Sequence, residues 1–320
     1  MTTITFPRSV DQAVLAASMS GSEFRAGGTD WQERRELGLT QPHIVDLRDV
    51  GGFRSIEPLP SGGLRIGAGV TVRELSEHPA IVQGYPALAL AAGALATPQV
   101  RAIATVGGSL LQRSRCWYYR SPRWRCFKSG GDGCPARTGD HLFHACFDLG
   151  PCVAPHPSTI GMALLNYDAT VGVHGGTGTR TIVTLFGDGR DPTRDHTLGP
   201  ADLLTAVVLP SPLPGERGGY FRAISRASAE WPLVEVTVRL VLERRRITFA
   251  RVALGGVATI PLRVPAVDAV LQGSVEDEAF ERAGNIAADG ATPLPMTGYK
   301  VDMIPEAVVE TLRRALGSEV

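Results

Sequence analysis

Cysteine is scarce in this chain, and its distribution is uneven. There are only five cysteines in 320 residues, and all of them fall between Cys116 and Cys152. An odd number confined to one stretch does not suit a secreted disulfide framework, which spreads paired cysteines through a much smaller chain. Clustering of this kind points to metal. An excess of charge of either sign is also missing: 32 Lys and Arg balance 32 Asp and Glu. No global field therefore favours nucleic acid or an anionic membrane surface. Long apolar runs are absent too, since the longest, near Ala87 to Ala96, is too short to span a bilayer. The amino terminus, MTTITFPRSV, has no basic segment followed by an apolar one, so a cytoplasmic protein is expected, unless it is exported folded with a signal-bearing partner. Neither GxGxxG nor GxxxxGK[ST] occurs at the glycine-rich turns, which argues against nicotinamide or nucleoside triphosphate binding there.

The chain has enough apolar content, 43%, to bury a substantial core in two or three subdomains. Ile4 and Phe6, a helix-compatible stretch from Val10 to Met19, Phe24, and then His43 to Leu47 predict a compact βαβ-like start. Leu64 to Ala68 reads as another strand. Thr71 with Glu74 supplies a capping box, which predicts a helix beginning there. Pro86 to Ala96 predicts a buried helix ended by Pro98. Ser211-Pro212-Leu213-Pro214-Gly215 has the composition of a linker. Beyond it, Val234, Val236, Val238, Leu240 and Leu242 alternate with mostly polar residues and predict a strand with one buried face. A neighbouring strand over Arg251 to Val257, a helix from Ser274 to Ala288 and a last helix opened by Pro305 complete an α+β carboxy-terminal third.

Two diglycine turns stand out. Gly27-Gly28 and Gly107-Gly108 each follow a strand or precede a helix, where bare backbone N–H groups can approach a phosphate. Taken in order, Arg25-Ala26-Gly27-Gly28-Thr29-Asp30, Ala104 to Gln112, His156-Pro157-Ser158 and Arg251 to Ala258 resemble the FAD-binding medium subunit of the xanthine dehydrogenase and carbon monoxide dehydrogenase family. The likeness covers essentially the whole chain and is strongest to the flavoprotein subunits of bacterial aldehyde oxidoreductases. It implies an α+β fold: a two-subdomain, PCMH/VAO-like FAD-binding module (1–57 and 58–210) followed by a carboxy-terminal α+β domain (216–320) like that of carbon monoxide dehydrogenase flavoproteins.

The resemblance further implies that Arg25, Ala26, Gly27, Gly28, Thr29 and Asp30 wrap the FAD diphosphate, with Thr105, Gly107, Gly108 and Ser109 as the second wall. Ser158, Thr159 and Trp231 complete the expected cofactor contacts, Trp231 lying in the Glu230-Trp231-Pro232-Leu233-Val234 motif. The family usually carries Asn at Ser109 and Asp at Thr159, where each shorter hydroxyl would loosen the cofactor by roughly 1 kcal/mol. No residue of this chain is expected to touch the organic substrate.

The cysteines follow the pattern C-x9-C-x7-C-x17-C, counting Cys116, Cys126, Cys134 and Cys152, with Cys146 inside the last gap. Four thiolates can hold zinc or an iron–sulfur cluster, and spacing alone does not choose between them. Structural zinc sites favour tight CxxC pairs, and none occurs here. The cluster-bearing flavoprotein subunits that this loop, 113–158, resembles imply a [4Fe–4S] cluster on Cys116, Cys126, Cys134 and Cys152, with Cys146 the rival to Cys152. Arg113, Arg115, Arg120, Arg123, Arg125 and Lys128 can offset the charge of such a cluster or form a docking face. His141, His144 and His156 are read as hydrogen-bonded rather than ligating. As partners the resemblance implies a large subunit with a molybdenum cofactor and a small subunit with two [2Fe–2S] clusters. The rival readings are a scaffold subunit that binds flavin poorly, a free-standing flavin oxidase and a zinc module.

Overall fold

The computed structural model describes residues 2–175, 178–225 and 230–317. Three sheets organise it. The first contains the parallel strands Thr3–Thr5, His43–Asp46 and Ser22–Arg25, in that order across the sheet. Parallel neighbours need a crossover. The helix Thr29–Glu36 supplies the one between Ser22–Arg25 and its neighbour His43–Asp46, while the helix Val10–Ala17, started by the Ser9 hydroxyl, which accepts the Gln12 N–H at 3.3 Å, joins the two outer strands.

The second sheet is antiparallel throughout and runs Ile56–Pro58, Leu64–Gly67, Leu203–Leu209, Thr170–His174 and Arg180–Thr181. Its core is shared with the helices Val72–Glu77, Pro86–Gly93 and Thr159–Asn166. Both halves of the Thr71/Glu74 capping box form. The Ala-rich helix stops at Gly93, and a separate short helix, Pro98–Arg101, begins at the proline that was expected only to end the first. Proline suits a first helical position, where its missing N–H has no partner to lose.

The third sheet, also antiparallel, orders Leu262–Arg263, Arg246–Gly255, Val234–Glu243 and Arg217–Ala223. The helices Pro265–Leu271, Asp277–Ala287 and Gly298–Leu316 accompany it. Two expectations change here. The last helix does not open at Pro305 but runs through it; the proline costs one backbone bond, and its carbonyl side packs closely on Gly284, where a Cβ would meet the Pro305 oxygen at 2.7 Å.

The second change concerns Val234–Glu243, which is buried on both faces from Val234 to Leu240. Val234, Val236, Val238 and Leu240 enter the carboxy-terminal core. The opposite face, Glu235, Thr237 and Arg239, docks on the helix Thr159–Asn166 by hydrogen bonds. Thr159 Oγ1 donates to Glu235 at 2.9 Å, Asn166 Nδ2 donates to the Thr237 carbonyl at 2.9 Å, and Arg239 donates to the Asn166 carbonyl. An alternating pattern signals two kinds of face, but a polar face can be a satisfied interface as well as a wet one.

Candidate cofactor and metal sites

The first diglycine bend is shaped by contact with the second segment. A Cβ at Gly27 would lie 2.1 Å from the Ile103 carbonyl oxygen, and Gly28 has φ +76°. Only glycine satisfies both demands. Ile103 and Ala104 lead directly into Thr105, whose hydroxyl accepts the Gly108 N–H at 3.1 Å and starts the short helix Val106–Leu110. Gly107 is tightly packed to a lesser degree, since a Cβ there would meet the Ala68 Cβ at 3.0 Å.

The two bends line one cavity of about 370 Å³. Arg25, Ala26, Gly27, Gly28, Thr29 and Asp30 form one wall, and Thr105, Gly107, Gly108 and Ser109 form another, with Trp231 at the side. The Ser109 hydroxyl is buried and has no hydrogen-bond partner among the described residues. A buried, unpaired hydroxyl costs free energy unless a ligand satisfies it. These walls therefore fit a diphosphate-bearing cofactor such as FAD.

Ser158 and Thr159 do not line that cavity. Ser158 caps the helix Thr159–Asn166 by accepting the Gly161 N–H at 3.0 Å, and Thr159 is tied to Glu235. Gln112 bridges their segment to the cavity wall, donating to the Ser109 carbonyl at 2.8 Å and to the Pro157 carbonyl at 3.3 Å. Sequence reasoning also passed over Phe53, Leu95, Leu203 and Leu204, which give the cavity its apolar side.

Asp30 links this wall to the cysteine loop. It accepts from Arg34 Nε at 3.2 Å, from the Arg113 N–H at 3.2 Å, from Arg120 at 2.6 Å and from Arg115. Burial alone would raise its carboxyl, but the Arg115, Arg120 and Arg34 guanidiniums outweigh that and hold it below the usual carboxylate range. Asp195 makes a second clamp, taking Lys128 at 2.9 Å and Arg113 at 3.0 Å. Its burial is likewise overcome by Arg113 and Lys128, which bring its pKa to about 2. Two carboxylates thus fix an otherwise irregular segment whose only regular pieces are the short turns Phe127–Ser129 and Pro135–Arg137.

Held in this way, Cys116, Cys126, Cys134 and Cys152 line one narrow cavity together with Tyr118, Tyr119 and Lys128. Cys146 points elsewhere, into the carboxy-terminal core beside Phe147. Burial, with added repulsion from Cys152 and Cys134, pushes the Cys116 thiol up to about 12, although neighbouring backbone N–H groups work against it. A bound metal reverses that preference, since it selects the thiolate. Among the described residues, no three His, Cys, Asp or Glu side chains are grouped so as to hold a single metal ion. His144 places Nε2 3.2 Å from Cys116 Sγ, and its ring packs edge-on to Trp117. His141 is hydrogen-bonded to the Ala136 carbonyl at 2.9 Å. Arg115 reaches across to Trp231, its guanidinium 4.6 Å from the ring centre.

With this geometry in place, the comparisons decide the family. Residues 1–212 match the model described as the FAD binding domain in molybdopterin dehydrogenase, and residues 219–316 match the CO dehydrogenase flavoprotein C-terminal domain. The chain belongs to this family of FAD-binding oxidoreductase components. It is 36% identical over 283 residues to the aldehyde oxidoreductase FAD-binding subunit PaoB of Escherichia coli (strain K12), covering 85% of this chain and 87% of that one. It is 27% identical over 320 residues to the nicotine 6-hydroxylase medium subunit of Paenarthrobacter nicotinovorans, covering 97% of this chain and 94% of that one. The fold superimposes on a chain of the reconstituted CO dehydrogenase from Oligotropha carboxidovorans with a TM-score of 0.77 at 20% identity, covering 100% of this chain and 99% of that chain. The expected fold class and FAD-binding role are therefore correct. No helix among the described residues is long and apolar enough to cross a membrane.

Proposed function

We propose that this chain is the electron-transferring FAD subunit of a heteromeric molybdenum hydroxylase, and that its cysteine loop carries a [4Fe–4S] cluster on Cys116, Cys126, Cys134 and Cys152. A large molybdenum-cofactor subunit oxidises an aldehyde or N-heterocycle, and a small subunit with two [2Fe–2S] clusters relays the electrons to this chain. The complex works in the cytoplasm. The functional units are 1–57 and 58–210 around the flavin and 216–320 closing beside it.

The observation that carries the reading is the shared cavity of the four cysteines, joined through Arg115 and Asp30 to the flavin wall. FAD, when bound, exchanges electrons singly or in pairs and so connects one-electron and two-electron partners. The residues of this chain do the rest. The bends offer N–H groups to the diphosphate, and Ser109, which is expected to contact the sugar or ribityl chain, gains a partner there. Arg113, Arg115 and Arg120 keep positive charge beside the thiolates.

Anaerobic reductive titration tests this proposal. A chain with both cofactors takes up about three electrons, two for the flavin and one for the cluster. An uptake of about two, with no iron-dependent bleaching, would remove the cluster.

A further inference from the structure

A second cavity, of about 300 Å³, lies between the cysteine loop and the carboxy-terminal domain. We propose that it binds an uncharged, flat aromatic electron acceptor of the quinone class. This rests on the redox role proposed above.

Its position is the first argument. Cys116 lines both this cavity and the one shared by the four cysteines, while Arg115 and Trp231 line both this cavity and the flavin cavity. It is the space that adjoins both cofactor sites.

Its walls are the second argument. Trp117, Phe143, Trp231, Pro155, Pro157 and Leu233 give it flat apolar surfaces. Trp117 and Phe143 meet edge to face at 5.8 Å. Phe143 and Trp231 remain 44% and 45% exposed, so both keep aromatic surface free although Arg115 lies over part of the Trp231 ring. Aromatic side chains recognise planar rings by offset or edge contact.

The third argument is charge and size. Burial holds the His156 ring at about 4, so it is neutral at physiological pH. Burial raises the Glu235 carboxyl to about 7, against the pull of hydrogen bonds from Thr159 and Tyr220. Arg115 is committed to Asp30. The described walls therefore have little to offer a phosphate or carboxylate. The volume lies at the low end of small-molecule sites, roughly 300–1,000 Å³, which suits one or two fused rings.

The chemistry balances. Oxidation of an aldehyde with water to a carboxylic acid on the partner subunit releases two electrons and two protons. A quinone takes up the same two electrons and two protons, and its two C=O groups become C–OH groups.

Duroquinone, whose fully substituted ring does not add to thiols, is the probe. Flavin and iron in the purified complex are quantified first, and then duroquinone binding is counted by equilibrium dialysis and tryptophan quenching. One saturable site per chain is the expected result, weakened at least tenfold in Leu233→Trp and in Phe143→Arg while flavin content stays unchanged. If one variant fails to load flavin, the other decides. Binding unaltered in both, no saturable site, or displacement of FAD by duroquinone would overturn the proposal. A complex lacking flavin or iron at the outset would instead defeat the functional reading, and the dialysis count would still report on the cavity.

Discussion

The Asp30 carboxylate lies 2.6 Å from the Arg120 guanidinium, and through this pair the wall of the diglycine cavity and the cysteine loop become one structure. Arg120 leaves only 6% of its side chain exposed, so its charge depends on Asp30 and on Glu33 at 3.0 Å. Removing one partner of a buried pair costs about 3–5 kcal/mol. Asp30→Ala, which leaves Glu33 in place, should cost about 3 kcal/mol by the same reasoning. Thermal unfolding and flavin retention measure it. A variant as stable as the parent, with full flavin, would show that the clamp does not hold the two parts together.

Gly27→Ala should drive the two bends apart, because the new methyl would sit 2.1 Å from the Ile103 carbonyl oxygen. Backbone cannot yield as a flexible side chain does. FAD affinity should fall at least tenfold, read by fluorescence of released flavin on dilution. Gly298→Ala, where a Cβ meets nothing within 4 Å, is the control and should bind as the parent does.

Glu235 predicts a pH dependence of stability. Its folded pKa of about 7 lies above the reference value of 4.5 because of burial. Between those values the folded chain keeps a proton that the unfolded chain has lost, so stability falls as pH rises through this window and levels off above it. The fall amounts to about 3 kcal/mol at 1.36 kcal/mol per pK unit. Glu235→Gln, which can still accept from Thr159 and Tyr220, should abolish that component. Melting temperatures at pH 5 and pH 8 compare the two proteins, and an unchanged difference would contradict the assignment.

His144 faces Cys116 Sγ at 3.2 Å. A hydrogen bond to a cluster sulfur raises the reduction potential of the cluster by relieving thiolate charge. His144→Leu should therefore shift the potential of the proposed iron–sulfur centre to more negative values with iron content unchanged. Potentiometric titration reads the shift, and an unmoved potential would assign His144 to packing alone.

How far the sequence spoke depends on how particular each demand on a residue is. Gly27 and Gly28 were legible because only glycine tolerates that crowding or a positive φ. The cysteine loop was legible because thiols cluster for few reasons, and the structure's separation of Cys146 from the other four depends on which way a side chain faces, which no spacing records. Phe53, Leu203 and Leu204 were silent because an apolar residue lining a cavity looks the same as one filling a core. Glu235 was hidden for a different reason. In an alternating strand it read as solvent-facing, whereas the helix Thr159–Asn166 covers it. Thr159, noted as a departure from the family's Asp, turns out to hold this carboxylate at 2.9 Å.

The iron content of single-cysteine variants tests the cysteine-bound cluster most directly. About four irons and four acid-labile sulfides per chain are predicted for the anaerobically purified parent and for Cys146→Ser, as for one [4Fe–4S] cluster. Cys126→Ser should lose most of both. Equal iron in Cys126→Ser and the parent, or zinc in place of iron in all three, would contradict it.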